Sequence, residues 1–407
     1  MGEKRRYNIR FFYVIISELR LMTEIKPDFH LPSQIYIRQG IINDIGKIVP
    51  RFGSRAILLV TAHDLEIYGS TIEIISRQLR DAGIGCIVYD EIPVPPDTES
   101  IDNAAAYFKK TKCDLVIGFG SVDSINSAKA LAVLANNYIF CHDLLSNPQL
   151  TEKPLKFITI PGCPLFGFEI APLLYLEEIH DLTRKIYYNP TLYPEATIVD
   201  PLITHMCPAE KIIKGTIASL AIAAESIISK VDNDFINMYA LKSIDLIFRN
   251  IPIMYREPQN SVPRAFLSTA SIMVGIAFAV SFLSIDLAVS LALASKTKLD
   301  IESSMSIILP HIMEFNLTSS PGKYVQMSKV MGEDVREITV IEAAIKAVEA
   351  IRKLETDIDI PQRLSSYDVP KSIFKEVAEL AMTYPFLNNT PREVNVNEIE
   401  TILIAAY

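Results

Sequence analysis

The sequence predicts an α/β plus all-α protein: a Rossmann-like domain with a parallel sheet over residues 29–201, then an all-helical domain over 202–407, both after an N-terminal extension, 1–28. Three observations predict this. Short runs rich in Val and Ile alternate with helically spaced segments as far as about residue 200, the alternation stops beyond Pro208, and 407 residues suffice for two or three domains of about 150 residues.

The first strand is expected around Tyr36 and the second at Ala56–Thr61, a short apolar run with branched side chains. Thr71–Asp81 carries apolar residues at helical spacing (Ile72, Ile75, Leu79), and Cys86–Tyr89 is the next strand. The unit then repeats: helix over Ile101–Lys110, strand Asp114–Gly118 running into a glycine turn, helix Ser127–Ala135, strand Lys156–Ile160. Strands alternating with helices specify a parallel sheet covered on both faces, with ligands at the carboxyl ends of the strands. The loops after Val60, Gly118 and Ile160 are therefore the candidate binding loops. Beyond Pro208, helices are expected over Ala209–Lys230, Phe235–Asn250, Phe266–Ser295, Ser304–Phe315, Val340–Leu354, Ser372–Met382 and Val396–Tyr407.

Composition excludes several classes. With 39 Lys+Arg against 48 Asp+Glu and a net charge of −9, the chain is a poor partner for nucleic acid, and its only basic cluster is Lys4-Arg5-Arg6. Five isolated cysteines without a CxxC fit a reducing, cytoplasmic setting. The basic start and short apolar patch of the N-terminus are interrupted by Glu18 and Arg20, which opposes a secretory signal, and Met22 offers a second start, so residues 1–21 are expected to be an appendage. The apolar stretch Phe266–Leu293 is long enough to span a bilayer but holds many serines and threonines and no flanking basic anchors; it reads as one or two buried helices, with no membrane partner. Only 15 glycines are present, about half the usual share.

The motifs Pro93-Val-Pro-Pro-Asp-Thr98, Ile117-Gly-Phe-Gly120 with Ser127-Ala-Lys-Ala130, Ile198-Val-Asp-Pro201, Leu309-Pro-His-Ile-Met-Glu-Phe-Asn316 and Asn389-Thr-Pro-Arg392 resemble, in order and spacing, the iron-containing (group III) alcohol dehydrogenases. Dehydroquinate synthase is a more distant relative with the same architecture. The resemblance implies a nucleotide-binding domain, a helical domain holding a divalent ion through one Asp and three His, and substrate and nicotinamide between them. The ion polarises the alcohol oxygen as a Lewis acid.

Matched residue by residue, the resemblance breaks at both sites. The four ligand positions fall on Ala218, Ile222, Leu287 and Ile301, all apolar. The glycine-rich phosphate turn becomes Gly118, Gly120, Ser121, Val122 and Asp123, with Asn126 in place of the following Asp; Val122 adds bulk and Asp123 a negative charge where a diphosphate would approach. The next turn becomes Gly162, Cys163, Pro164, Leu165, Phe166, Gly167 and Phe168, so the cleft is expected to be filled. The matched position of the ribose-selecting acid is Ala62. No cofactor, and no iron or zinc, is therefore expected; NAD or NADP enters only if the chain is an active oxidoreductase.

Single residues carry open alternatives. Asp286, in an apolar helix, is either paired with a cation or helix end, a displaced ligand, or a carboxyl with raised pKa. Asp300 and Glu302 either join it in an oxygen-only cation site or lie on a solvent-facing turn with Lys296 and Lys298. Cys163 is a nucleophile or a buried inert thiol, and Lys129 touches phosphate or pairs internally. The expected function is a non-catalytic homologue acting as partner or scaffold subunit, in a homodimer or with a related chain; the alternatives are an active NAD(P)-dependent alcohol or aldehyde oxidoreductase and a small-molecule binding protein using the interdomain cleft.

Overall fold

Six parallel strands form the sheet in the order β1-β8-β5-β4-β2-β3, comprising β1 (Gln34–Ile37), β2 (Arg55–Thr61), β3 (Gly85–Ile92), β4 (Leu115–Gly120), β5 (Phe157–Pro161) and β8 (Ala196–Val199). This is a computed structural model, and it describes residues 29–146 and 150–407. The expected extension over 1–28, with its second start at Met22, lies outside the described residues. Pro32–Tyr407 packs as one unit.

The short helix α1 (Ile45–Ile48) precedes β2, and the crossover helices are α2 (Ala62–Asp81), α3 (Thr98–Thr111) and α4 (Val122–Asn136). Every residue of β4 is buried because helices cover both sheet faces, which is why the strand reads as an uninterrupted apolar run rather than an alternation. The chain runs outward from β2 to β3, then crosses back to β4, so the strand order reverses between β2 and β4. Loops after those two strands flank the crevice at that point.

Besides the short helix α1 and strand β8, two further features of this half were not expected. A one-turn helix α5 (Cys141–Leu144) follows α4, and an antiparallel hairpin of β6 (Leu173–Glu177) and β7 (Arg184–Tyr188) follows β5, with Glu177 paired to Arg184.

Helices then take over: α6 (Ala209–Ile228), α7 (Asp234–Arg256), α8 (Ser261–Ser281), α9 (Ile285–Lys296), α10 (Ile301–Asn316), α11 (Pro321–Val330), α12 (Val340–Asp357), α13 (Phe374–Ala381) and α14 (Val396–Ala405). The apolar stretch expected as one or two helices is two. Phe282 adopts a left-handed conformation (φ 43°) that ends α8, and Ser284 caps α9 by accepting the Leu287 N–H at 3.1 Å. By length and composition α8 could cross a membrane, yet 67% of its most apolar window is buried among its neighbours, the pattern of a core helix. α11 went unpredicted because only Tyr324, Met327 and Ser328 of its ten residues are buried, too sparse for an apolar periodicity.

Candidate functional site: the cleft between sheet and helices

The carboxyl ends of β2, β4 and β5 meet at the crevice. Gly120 ends β4 with φ +120°, and a Cβ there would lie 2.4 Å from the Asp64 carboxyl carbon, so glycine is required. Asp64 sits in the first turn of α2, oriented by Thr61, whose hydroxyl accepts the Asp64 N–H at 3.0 Å. Its buried carboxylate accepts the Ser121 N–H at 2.9 Å and the Ser121 and Ser124 hydroxyls at 2.6 Å each. One backbone donor of the turn matched to the phosphate site is thus engaged by the protein itself.

The other predicted residues of this turn separate. Val122, in the first turn of α4, is packed into the core while bordering the cleft, and Asp123 faces the cleft half-buried. Burial raises the Asp123 carboxyl to about 6, against the opposing pull of Arg184. Asn126 is fully buried, with neither side-chain atom hydrogen bonded among the described residues. Gly118 lies in β4 against Ala128, where a Cβ would approach the Ala128 methyl to 2.6 Å, so it permits close packing of strand on helix. Lys129 is buried and donates to the Phe168, Ala171 and Leu173 carbonyls at 2.5, 2.7 and 2.8 Å, resolving its alternatives in favour of internal pairing. Desolvation lowers its ammonium to about 7.

In the second turn, Gly162 lies against the Tyr68 ring, and Gly167 (φ +93°) approaches the backbone of Gly275, joining the turn to α8. Cys163 is buried; contact with Cys207, together with burial, pushes its thiol well above the ordinary value, which agrees with an inert thiol. Leu165, Phe166 and Phe168 belong to the main hydrophobic core. Phe166 stacks edge-on against Phe168 at 5.1 Å, and Phe168 against Tyr175 at 5.2 Å.

The expectation of a filled cleft is therefore corrected. These bulky side chains turn into the core, and a cavity of about 410 Å³ remains, bounded by Ser121–Asp123, Tyr175 and Arg184 on the sheet side and by Lys211, Lys214 and Asp300–Glu302 on the helical side. Burial and the neighbouring Asp300 raise the Glu302 carboxyl. Asp64, Arg184 and Lys211 were not singled out in the sequence. Asp64 left a weak signal, its position three residues after a Thr at a strand end; Arg184 left none, because its hairpin was not foreseen.

Of the four apolar positions, Ala218 and Ile222 lie on α6, Leu287 on α9 and Ile301 on α10. Ala218, Ile222 and Leu287 are fully buried and Ile301 is 3% exposed; all four belong to the same hydrophobic core, and only Ile301 borders the cleft. Hydrocarbon side chains offer no electron pair to a divalent ion, so these residues do not fit one.

The carboxylate alternatives are also settled. Among the described residues Asp286 has no cationic partner within ion-pair distance: it stands beside Glu225 and Glu355, and burial followed by these two carboxyls raises it well above its ordinary value. Asp300 caps α10, accepting the Ser303 N–H at 2.8 Å, and lies 3.7 Å from Lys214. Lys296 pairs with Glu376 instead. Asp300 lies exposed at the end of the turn that carries the exposed Lys296 and Lys298, Glu302 faces the cavity beside it, and Asp286 is buried with Glu225 and Glu355, so the three acids do not converge on one cation site.

Two family models match this architecture, iron-containing alcohol dehydrogenase over residues 32–201 and the C-terminal domain of the Fe-containing alcohol dehydrogenase family over 212–407. The chain belongs to the iron-containing alcohol dehydrogenase family. The 1,3-propanediol dehydrogenase of Klebsiella pneumoniae is 25% identical over 381 residues, spanning 93% of this chain and 98% of the relative. The NAD-dependent methanol dehydrogenase of Bacillus methanolicus is 22% identical over 377 residues, spanning 92% and 98%. Among solved structures, a 1,3-propanediol oxidoreductase superposes with a TM-score of 0.88 at 24% identity, covering 93% of this chain and 99% of the other. An alcohol dehydrogenase from Oenococcus oeni reaches 0.89 at 18%, with the same coverage.

Membership in this family corrects the expectation of no cofactor and of no iron or zinc. Relatives in it are iron-containing or NAD-dependent by name, and His142, Glu178 and His180 bring three potential ligand atoms within 4.8 Å of one another. Sequence spacing concealed this group, because His142 is 36 residues from Glu178 and the two meet only through the unforeseen α5 and hairpin.

Proposed function

We propose that this iron-containing alcohol dehydrogenase homologue is non-catalytic in alcohol oxidation and acts as a partner or scaffold subunit, as a homodimer or with a related chain. The observation that carries the reading is the hydrocarbon character of Ala218, Ile222, Leu287 and Ile301, the positions that the resemblance assigns to the ion. Without a cation there, an alcohol oxygen in the cleft has no Lewis acid to lower its pKa. Among residues lining the cleft, Lys211 is raised although burial opposes its charge, with the acids Glu302 and Asp64 favouring the ammonium, which makes it a poor base for the hydroxyl proton.

The reading concerns chemistry, not nicotinamide binding, which the relatives' names favour. Purified chain supplied in turn with Fe2+, Zn2+ or Mn2+, with NAD or NADP and a panel of primary alcohols and diols, is expected to give no turnover above background. Sedimentation of the same protein is expected to show a dimer. Metal-dependent turnover would overturn the proposal.

A second reading rests on the cavity itself. Its walls carry Asp123 and Arg184 on the sheet side and Lys211, Lys214 and Glu302 on the helical side, a polar lining of both signs that suits a small ligand carrying both charges. A thermal-shift screen with amino acids and other zwitterions is expected to find selective stabilisation that Arg184→Ala abolishes.

A further inference from the structure

His142 lies on the one-turn helix α5, and Glu178 and His180 lie in the β6–β7 turn. Both segments are held by backbone bonds rather than by the three side chains. The Cys141 N–H donates to the Asp102 carboxylate at 2.8 Å. The turn is closed by the Glu178 N–H to the Thr183 carbonyl and the Leu182 N–H to the Glu178 carbonyl, each at 2.8 Å.

Glu178 is the anomaly. Its side chain is only 1% exposed, yet among the described residues no Lys or Arg comes within ion-pair distance of it; Lys185, the nearby cation, pairs with Asp181 at 3.1 Å. What meets the carboxylate is Nδ1 of His142 at 2.6 Å on one oxygen, and on the other the His180 N–H at 3.3 Å and the Thr98 hydroxyl at 3.5 Å. The His180 ring completes the group, its centroid 5.5 Å from that of His142 and nearly perpendicular to it. A buried carboxylate that meets one imidazole nitrogen directly and has a second imidazole beside it gathers three ligand-type side chains around one point.

We propose that His142, Glu178 and His180 form a binding site for a zinc-class divalent cation, joining α5 to the β6–β7 turn. Two imidazoles and one carboxylate are a donor set for zinc and its neighbours in the transition series, whereas Mg2+ and Ca2+ require mostly oxygen. Bonds of about 2.0–2.2 Å to one ion set ligand atoms roughly 3.5 Å apart, so the group needs only rotation of two exposed rings. The half-exposed His142 side leaves the fourth position to water. None of the three residues lines the interdomain cleft, so the site stands independently of the catalytic question.

The test uses the full chain without an affinity tag. Equilibrium dialysis is expected to give one Zn2+ per chain, not displaced by excess Mg2+, and a zinc-dependent rise in melting temperature. In H142A/H180A the affinity is expected to fall at least about tenfold and the melting shift to vanish, while H205A, elsewhere in the chain, behaves as wild type. A readout needing no variant is the labelling of His142 and His180 by diethyl pyrocarbonate, which zinc should slow at these two residues. Absence of zinc binding, equal binding of Mg2+, or labelling and affinity indifferent to these histidines would overturn the assignment.

Discussion

Asp64 shows how one side chain reorganises a loop that the family motif alone would describe as a phosphate turn. Its carboxylate satisfies the Ser121 N–H and two serine hydroxyls inside the crevice, and the glycine before Ser121 is kept because that carboxylate leaves no room for a Cβ. Asp64→Ala removes one acceptor and leaves three buried donors, so it is expected to destabilise the chain by roughly 2–4 kcal/mol, measured by urea unfolding. A change below about half a kcal/mol would mean that the donors find other partners. The residues of this turn were legible in the sequence, but their surroundings were not: Val122 and Asp123 both border the cavity, yet Val122 is also packed into the hydrophobic core whereas Asp123 is half-exposed. Nothing local encodes that division. It depends on the helix phase set by α4 packing on β4, a long-range property.

At the scale of elements, α6, α9 and α12 bring Glu225, Asp286 and Glu355 together. Glu225 accepts the Ile285 and Asp286 N–H groups at the start of α9 at 2.7 and 3.2 Å, along with the Ser284 hydroxyl at 2.6 Å. Burial raises Glu225 to about 7 and Glu355 to about 8. In the folded chain these acids hold protons that the unfolded chain releases near pH 4 to 4.5, so stability is fullest below that range and is lost as pH rises through about 7 to 8. Melting temperature is expected to fall from pH 5 to pH 8, and Glu355→Gln should make the fall shallower by up to about 1.4 kcal/mol per pH unit. A melting temperature that rises across this interval would contradict the protonated cluster.

Three of the four apolar positions lie on α6 and α9, and the fourth, Ile301, begins α10. Leu287 is fully buried, one residue from Asp286. Leu287→Ala is expected to cost about 2–5 kcal/mol through the cavity it leaves, read by thermal unfolding; a near-neutral effect would mean that the position is not a packed core site. Most of these helices were legible because their apolar residues recur at helical spacing over several turns. The β6–β7 hairpin was not: Leu173–Leu176 is buried on both sides and lacks the alternation that marks a strand at a surface.

For the whole molecule, the order of elements and the motifs placed along the chain were enough to identify the family, and the sheet and helices occupy the expected places. Contacts between distant segments were not readable in advance. The cavity persists because Leu165, Phe166 and Phe168 turn inward, and the His142 group forms because two unforeseen elements meet. The proposed loss of alcohol oxidation rests on the hydrocarbon side chains at the four positions that the resemblance assigns to the ion. Its most direct test is single-turnover hydride transfer: chain at a concentration above that of NAD, supplied with Fe2+ and excess 1,3-propanediol, followed by nicotinamide absorbance. The account predicts no reduced nicotinamide above the protein-free control; a stoichiometric burst would contradict it.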